Sequence, residues 1–203
     1  LDVLSFYYGL QLQLVVYLVA AMEITRKKNP DKIVIPAGIF YYHIDDPVVD
    51  KSMEGNIEES ILNQLKMDGL VNDDISVAGL MDLTLMNEEG KGRASAKSGV
   101  IPVEINKYGF PTKRSNLASV EQFDAMNRYV RKKIAGLGKE IIDGATKINP
   151  YKLKQRTACD CCQYGGICGF DTKLPGNTYR SLKLFDKDEV WEKLLSDEKR
   201  GVE

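Results

Sequence analysis

Four thiols fall within ten positions of one short stretch, TACDCCQYGGICGFD at residues 157–171, and the rest of the 203-residue chain has none. Cys159 and Cys162 are three apart, the spacing at which two sulfurs bend back onto one metal centre. Cys168 follows after Gly165-Gly166. A thiolate site needs four ligands, whether it holds tetrahedral zinc or an iron–sulfur cube. Cys161 stands beside Cys162, and adjacent side chains diverge in extended or helical backbone, so one of the two is expected to stay outside the site. The set is then one ligand short, and the fourth is expected upstream of Leu1. Three other readings use the same residues. Cys161 could complete a zinc-binding interaction module without catalysis. The Cys159/Cys162 pair could be redox-active, although such a pair normally follows a strand and opens a helix, and this one follows Asn149-Pro150 and a basic stretch. The thiols could also be incidental.

At the other end, Gln13 and Tyr17 are four apart in LQLQLVVYLVAAME. On a helix they share one face, so a polar edge can point into a site while Leu14, Val15 and Leu18 pack elsewhere. The plainer reading is two amphipathic residues on a core helix. Just before the cysteines, Lys152, Lys154 and Arg156 are candidate contacts to DNA phosphates. The basic runs TRKK and KGRASAKSG read instead as a helix end and a solvated loop. His43 with Asp45 and Asp46 has metal-ligand chemistry, but HIDDP reads as a strand end turning over. Gly90-x-Gly92 is not a phosphate-binding loop, because no strand precedes it and the Gly-Lys-Ser/Thr end is absent.

The elements that must position these residues read as mixed α and β. Hydrophobic content of 43% and charged content of 28% belong to an ordinary globular chain, and a net charge of −1 excludes a strongly basic nucleic-acid binder by bulk charge. The longest apolar run, Leu14 to Met22, is nine residues, too short to span a bilayer. Bunched cysteines favour a metal in a reducing compartment such as the cytoplasm over a disulfide scaffold. The opening at Leu1, almost inside an apolar helix, reads as a piece of a longer protein.

Residues 3–28 are expected to form one long, mostly buried helix, and residues 32–44 two short strands. A helix is expected over 54–67, with Ile57, Ile61, Leu62 and Leu65 as its stripe and Gly69 as its stop. A weaker helix over 72–85 and a polar loop over 87–99 follow, then strand, turn and strand through Tyr108-Gly109. Ser119-Val120-Glu121-Gln122 is a capping box opening a helix to about Gly144. Residues 186–200 read as a C-terminal amphipathic helix.

INPYKLKQRTACDCCQYGGICGFD resembles the C-terminal end of the AddB subunit of bacterial AddAB helicase–nucleases. GIFYYHIDDPVV, KMDGLV, SGVIPVEINKYG and EQFDAMNRYV are similar to segments of that family in the same order, so the resemblance covers nearly the whole chain. It implies the distal part of one PD-(D/E)xK (RecB-like) nuclease domain over 1–203. Cys159, Cys162 and Cys168, with one cysteine far upstream, would hold a structural 4Fe-4S cluster, and Cys161 would be a bystander. Gln13 and Tyr17 would be the Gln-x-x-x-Tyr motif that shapes the active site. The family's chemistry is Mg-assisted phosphodiester hydrolysis by an Asp and an acidic-x-Lys pair. Those residues are expected before Leu1, so this stretch alone is expected not to cut DNA. The resemblance further implies an ATP-dependent complex with an AddA-like helicase–nuclease partner, acting on double-stranded DNA ends and single-stranded DNA during recombinational repair. A stand-alone Cas4-like iron–sulfur nuclease shares both motifs.

Overall fold

The computed structural model describes residues 1–42, 44 and 57–196. His43, Asp45 and Asp46 lie outside the described residues, as do positions 54–56 of the expected second helix and 197–200 of the expected last one. The chain divides into two compact units. The first comprises Leu1 and residues 11–130, the second residues 2–10 and 131–203.

The expected helix over residues 3–28 is two helices. α1 (Val3–Tyr7) starts on Asp2, whose carboxylate accepts from the Leu4 and Ser5 amides at 3.2 and 3.3 Å. It ends where Gly9 adopts φ +81°, with the Gly9 and Leu10 amides turned back onto the Phe6 and Ser5 carbonyls. Only glycine takes that conformation without strain, and the chain there leaves the helical path. α2 (Gln13–Lys28) then begins afresh. It is not mostly buried: Val15, Val19 and Met22 form one buried stripe at four- and three-residue spacing. Arg26, Lys27 and Lys28 occupy its last turn, where cations suit the negative end of the helix.

In the first unit, β1 (Gly38–Tyr41), β2 (Asp68–Asn72) and β3 (Leu117–Ala118) form a sheet in the order β1-β2-β3. β1 runs antiparallel to β2, and β3 runs parallel to it. The expected strand over 32–35 does not form, and Ile33 is 94% exposed. Gly69 is not a helix stop but the second residue of β2, paired with Phe40. A Cβ at Gly69 would collide with the Ile39 carbonyl oxygen and the Phe40 Cα, so the glycine permits the close approach of β1. As the central strand, β2 buries Gly69 through Asn72 in succession. The Asn72 side chain links the strand end to its surroundings, donating to the Pro36 carbonyl at 2.7 Å and accepting from the Asp74 amide at 2.9 Å.

α3 (Ile57–Leu65) precedes β2, and its expected stripe is only partly used, since Ile57 and Leu62 are exposed. α4 (Ile75–Met81) follows β2 with Asp74 as its N-cap, and a 3-10 turn (Leu83–Leu85) begins on Asp82. The expected polar loop over 87–99 is in part a packed segment. Ser98 is buried, and its hydroxyl donates to Asp82 Oδ2 at 2.5 Å while accepting from the Val100 and Ile101 amides. The expected strand and turn after it form only isolated bridges, Lys97 to Glu104 and Ile105 to Pro111, yet Ile101, Val103 and Ile105 join Val71, Ala78 and Leu85 in the core. Each fully buried Val, Leu or Ile among them contributes about 2 kcal/mol relative to exposure.

The capping box at α5 (Val120–Ile142) forms as expected: the Gln122 amide donates to Ser119 Oγ at 3.2 Å, and the Ser119 amide to Gln122 Oε1 at 2.9 Å. Phe123, Met126 and Val130 are buried, whereas Ile134, Leu137 and Ile141 further along are exposed. Gly144 at φ +72° closes the helix, with its amide on the Ile141 carbonyl. In the second unit, β4 (Tyr151–Leu153) pairs antiparallel with β5 (Arg156–Thr157) and parallel with β6 (Arg180–Ser181). Between β5 and β6 lies the short α6 (Gly165–Cys168). α7 (Lys187–Ser196) packs against α1 through buried Val190, Trp191 and Leu194, with Val3 and Phe6 buried on α1. No helix among the described residues is long and apolar enough to cross a membrane.

Candidate functional site

The first unit carries the Gln13–Tyr17 pair. Because Val15 and Val19 face the buried side of α2, Gln13 and Tyr17 stand on the opposite edge, and Tyr17 is 59% exposed. Gln13 Nε2 donates to the Tyr17 hydroxyl at 2.8 Å. Accepting that bond leaves the phenol's own proton for a ligand oxygen, while Gln13 Oε1 remains an acceptor. Two polar groups one helical turn apart can hold a phosphate or a base edge, and neither can activate water alone. Among the described residues no three His, Cys, Asp or Glu side chains form a group that could hold a metal ion.

The second unit carries the cysteines. The β4–β5 hairpin enters them through Lys154, which sits at φ +56°. The Thr157 amide and hydroxyl donate to the Asp160 carboxylate at 2.7 and 2.6 Å, and these bonds hold its carboxyl below the usual range. The turn continues with the Cys162 amide donating to the Cys159 carbonyl at 3.2 Å. Cys168 ends α6 with its amide on the Tyr164 carbonyl, and Gly169 at φ +64° redirects the chain. Cys159, Cys161 and Cys162 are exposed and Cys168 is half-buried, all as free thiols. Three soft sulfur donors from one loop suit the chemistry of zinc or an iron–sulfur cube. The structure does not gather them into one ligand group.

A partner of this loop that the sequence reading did not single out is Tyr179. Its phenol is held above its ordinary value, chiefly by the neighbouring Cys159 side chain, with desolvation adding to this and Thr157 opposing it. Its ring meets Phe170 edge-on at 5.0 Å. The aromatic character of positions 170 and 179 was visible, but their meeting across the intervening positions was not.

Lys152, Lys154 and Arg156 are all exposed. The pairing register sets Lys152 opposite Thr157 and Arg156 opposite Leu153. Directly paired residues share a face and neighbours along a strand alternate, so Lys152 and Arg156 lie on opposite faces of the hairpin. The three cations are therefore not one basic face. Arg156 instead shares its side with Arg180, which pairs with Tyr151 through β6.

Residues 3–169 match the PD-(D/E)XK nuclease superfamily, which is more than half of the chain. The chain belongs to that superfamily. Its mixed α/β architecture, with two small sheets and helices, is accordingly that of a PD-(D/E)XK nuclease domain. Curated relatives are named as the B-type component of an ATP-dependent helicase/deoxyribonuclease. The protein of Lachnoclostridium phytofermentans is 44% identical over 94% of this chain and 16% of its own length. Those of Clostridioides difficile and Acetivibrio thermocellus are 39% and 36% identical over 94% and 95% of this chain, again 16% of their own lengths. The chain thus spans about one sixth of the length of these curated relatives.

Proposed function

We propose that this chain is the distal part of the nuclease domain of an AddB-like protein. The full-length protein, with an AddA-like helicase–nuclease partner, unwinds and degrades double-stranded DNA ends in the cytoplasm, using ATP and Mg²⁺, to prepare single-stranded DNA for recombinational repair. The observation that carries this reading is the Gln13–Tyr17 hydrogen bond, 2.8 Å long on the exposed edge of α2, in a chain of the PD-(D/E)XK superfamily. Relatives several times longer than the chain favour a large helicase–nuclease component over a compact Cas4-like nuclease.

In this reading Tyr17 donates to a phosphate oxygen of the strand being cut, and Gln13 fixes the direction of the phenol. The Mg²⁺-binding acids lie outside these residues, so the present chain alone does not hydrolyse DNA. Cys159, Cys162 and Cys168 would supply three thiolate ligands to a 4Fe-4S cluster, the fourth coming from elsewhere in the full-length protein, and Cys161 would stay free. When bound, the cluster supplies cross-linking and folding energy rather than electron transfer. The test is ATP- and Mg²⁺-dependent degradation of linear duplex DNA by the full-length protein with its partner, beside the isolated chain. Degradation by the complex and none by the chain is expected. An inert complex, or a chain that cuts by itself, contradicts the reading.

A further inference from the structure

Two four-residue patterns in the first unit, Asn87-x-x-Gly90 and Asn106-x-x-Gly109, fold into the same turn. In the first, Asn87 Oδ1 accepts from the Glu89 and Lys91 amides at 3.1 and 2.9 Å, and the Asn87 amide donates to the Lys91 carbonyl at 2.8 Å. In the second, Asn106 Oδ1 accepts from the Tyr108 and Phe110 amides at 2.8 and 3.2 Å, and the Asn106 amide donates to the Phe110 carbonyl at 2.8 Å. Gly90 and Gly109 take φ +73° and +84°, which the turns require. The turns lie against each other: a Cβ at Gly92 would collide with the Gly109 carbonyl oxygen.

This fixed scaffold displays Tyr108 and Phe110 at 71% and 68% exposure, with Lys107 Nζ 4.9 Å from the Tyr108 ring centroid. They border a groove of about 670 Å³ that Lys91, Asp73 and Asp74 also line. Among the described residues, these two large aromatic side chains, held outward by rigid turns, contribute little to packing. A groove of that size suits one or two nucleotides. Flat rings beside cations are the elements that bind single-stranded nucleic acid, with bases on the rings and phosphates on the lysines.

The charges decide which nucleic acid fits. The groove's lining holds Lys91 and Lys107 beside as many acids, Asp73 and Asp74, and Lys91 is paired with Glu89 at 3.0 Å, so the groove has no surplus of positive charge for a duplex backbone. Asp74 is committed to the Ser76 amide and hydroxyl at 2.9 and 2.7 Å. What remains is a site dominated by stacking. We infer that the twin-turn groove is a single-stranded DNA subsite in which Tyr108 and Phe110 stack on unpaired bases and Lys91 and Lys107 contact at most two phosphates. The inference rests on the reading that the full-length protein handles DNA, and it names a contact apart from the Gln13–Tyr17 helix.

The test is photocrosslinking of a 4-thiothymidine-substituted oligonucleotide to the full-length protein, with crosslinked peptides mapped by mass spectrometry. Crosslinks to the 106–110 peptide are expected. Tyr108→Ala or Phe110→Ala should each reduce them about tenfold by removing one stacking surface, while Tyr108→Phe retains them. Their yield should vary weakly with salt, with a logarithmic slope no steeper than about −1.4 for two single-strand phosphates. Crosslinks only elsewhere on the chain overturn this subsite and leave the DNA-processing reading standing. No crosslink anywhere overturns both. A steep salt slope with alanine-insensitive crosslinking replaces stacking with a backbone contact and overturns the inference.

Discussion

The Ser98 hydroxyl donates to Asp82 Oδ2 at 2.5 Å, and both residues are buried. This bond ties a segment without regular secondary structure to the start of the 3-10 turn, and the same hydroxyl accepts from the Val100 and Ile101 amides. Ser98→Ala removes a donor from a buried carboxylate and an acceptor from two amides. The expected loss is about 1–3 kcal/mol, read as a lower urea midpoint with an unchanged slope. A variant as stable as the parent would contradict the role given to this bond.

Asp82 also sets an acid limit. Burial pushes its carboxyl upward, but hydrogen bonds from Ser98 and Thr84, with the charge of Lys66, outweigh that and hold it below the ordinary value. A depressed folded-state value means the stabilisation is complete above the unfolded value of about 3.9 and is lost as pH falls through the lower folded one. Stability is therefore expected to be level down to about pH 5 and to fall steeply below about pH 4. Asp82→Asn should make that fall shallower without abolishing it, because Asp74 is depressed in the same direction by Ser76. Chemical denaturation across pH checks both statements.

Gly69 permits the approach of β1 to β2, and a methyl group there would meet the Ile39 carbonyl and the Phe40 Cα. Backbone cannot swing aside as a flexible side chain does, so Gly69→Ala is expected to cost roughly 2 kcal/mol or more. Amide exchange of β1 and β2 should rise well before that of the cysteine hairpin. Unchanged protection in β1 would remove the argument for the glycine.

Gln13 and Tyr17 make an exposed bond on a surface helix edge. Tyr17→Phe and Gln13→Ala should each move stability by no more than about 0.5 kcal/mol. In the full-length protein either change should lower nuclease turnover by tenfold or more while leaving ATP hydrolysis intact. Loss of stability in proportion to loss of activity would make the pair structural instead.

What was legible in the sequence was what depends on near neighbours. The capping box at Ser119 and Gln122 involves residues three apart, and it formed as written. The break at Gly9 was hidden because the apolar periodicity continues across it. Gly69 looked like a helix stop because its reason is Ile39 and Phe40, some thirty positions earlier. The polar composition of 87–99 masked a packed segment, since Ser98 is satisfied by Asp82 sixteen positions away. For the site, the spacing of Cys159, Cys162 and Cys168 was plain, whereas the meeting of Phe170 with Tyr179 depended on the fold of the intervening loop, and the opposed faces of Lys152 and Arg156 on strand register.

The most direct test of the account is the metal content of the full-length protein purified without oxygen, measured as iron, acid-labile sulfide and zinc. About four irons and four sulfides per chain are expected, lost on replacing Cys159, Cys162 or Cys168 with alanine and kept in Cys161→Ala. Stoichiometric zinc, or a site that needs Cys161, would contradict the three-cysteine cluster at the centre of this account.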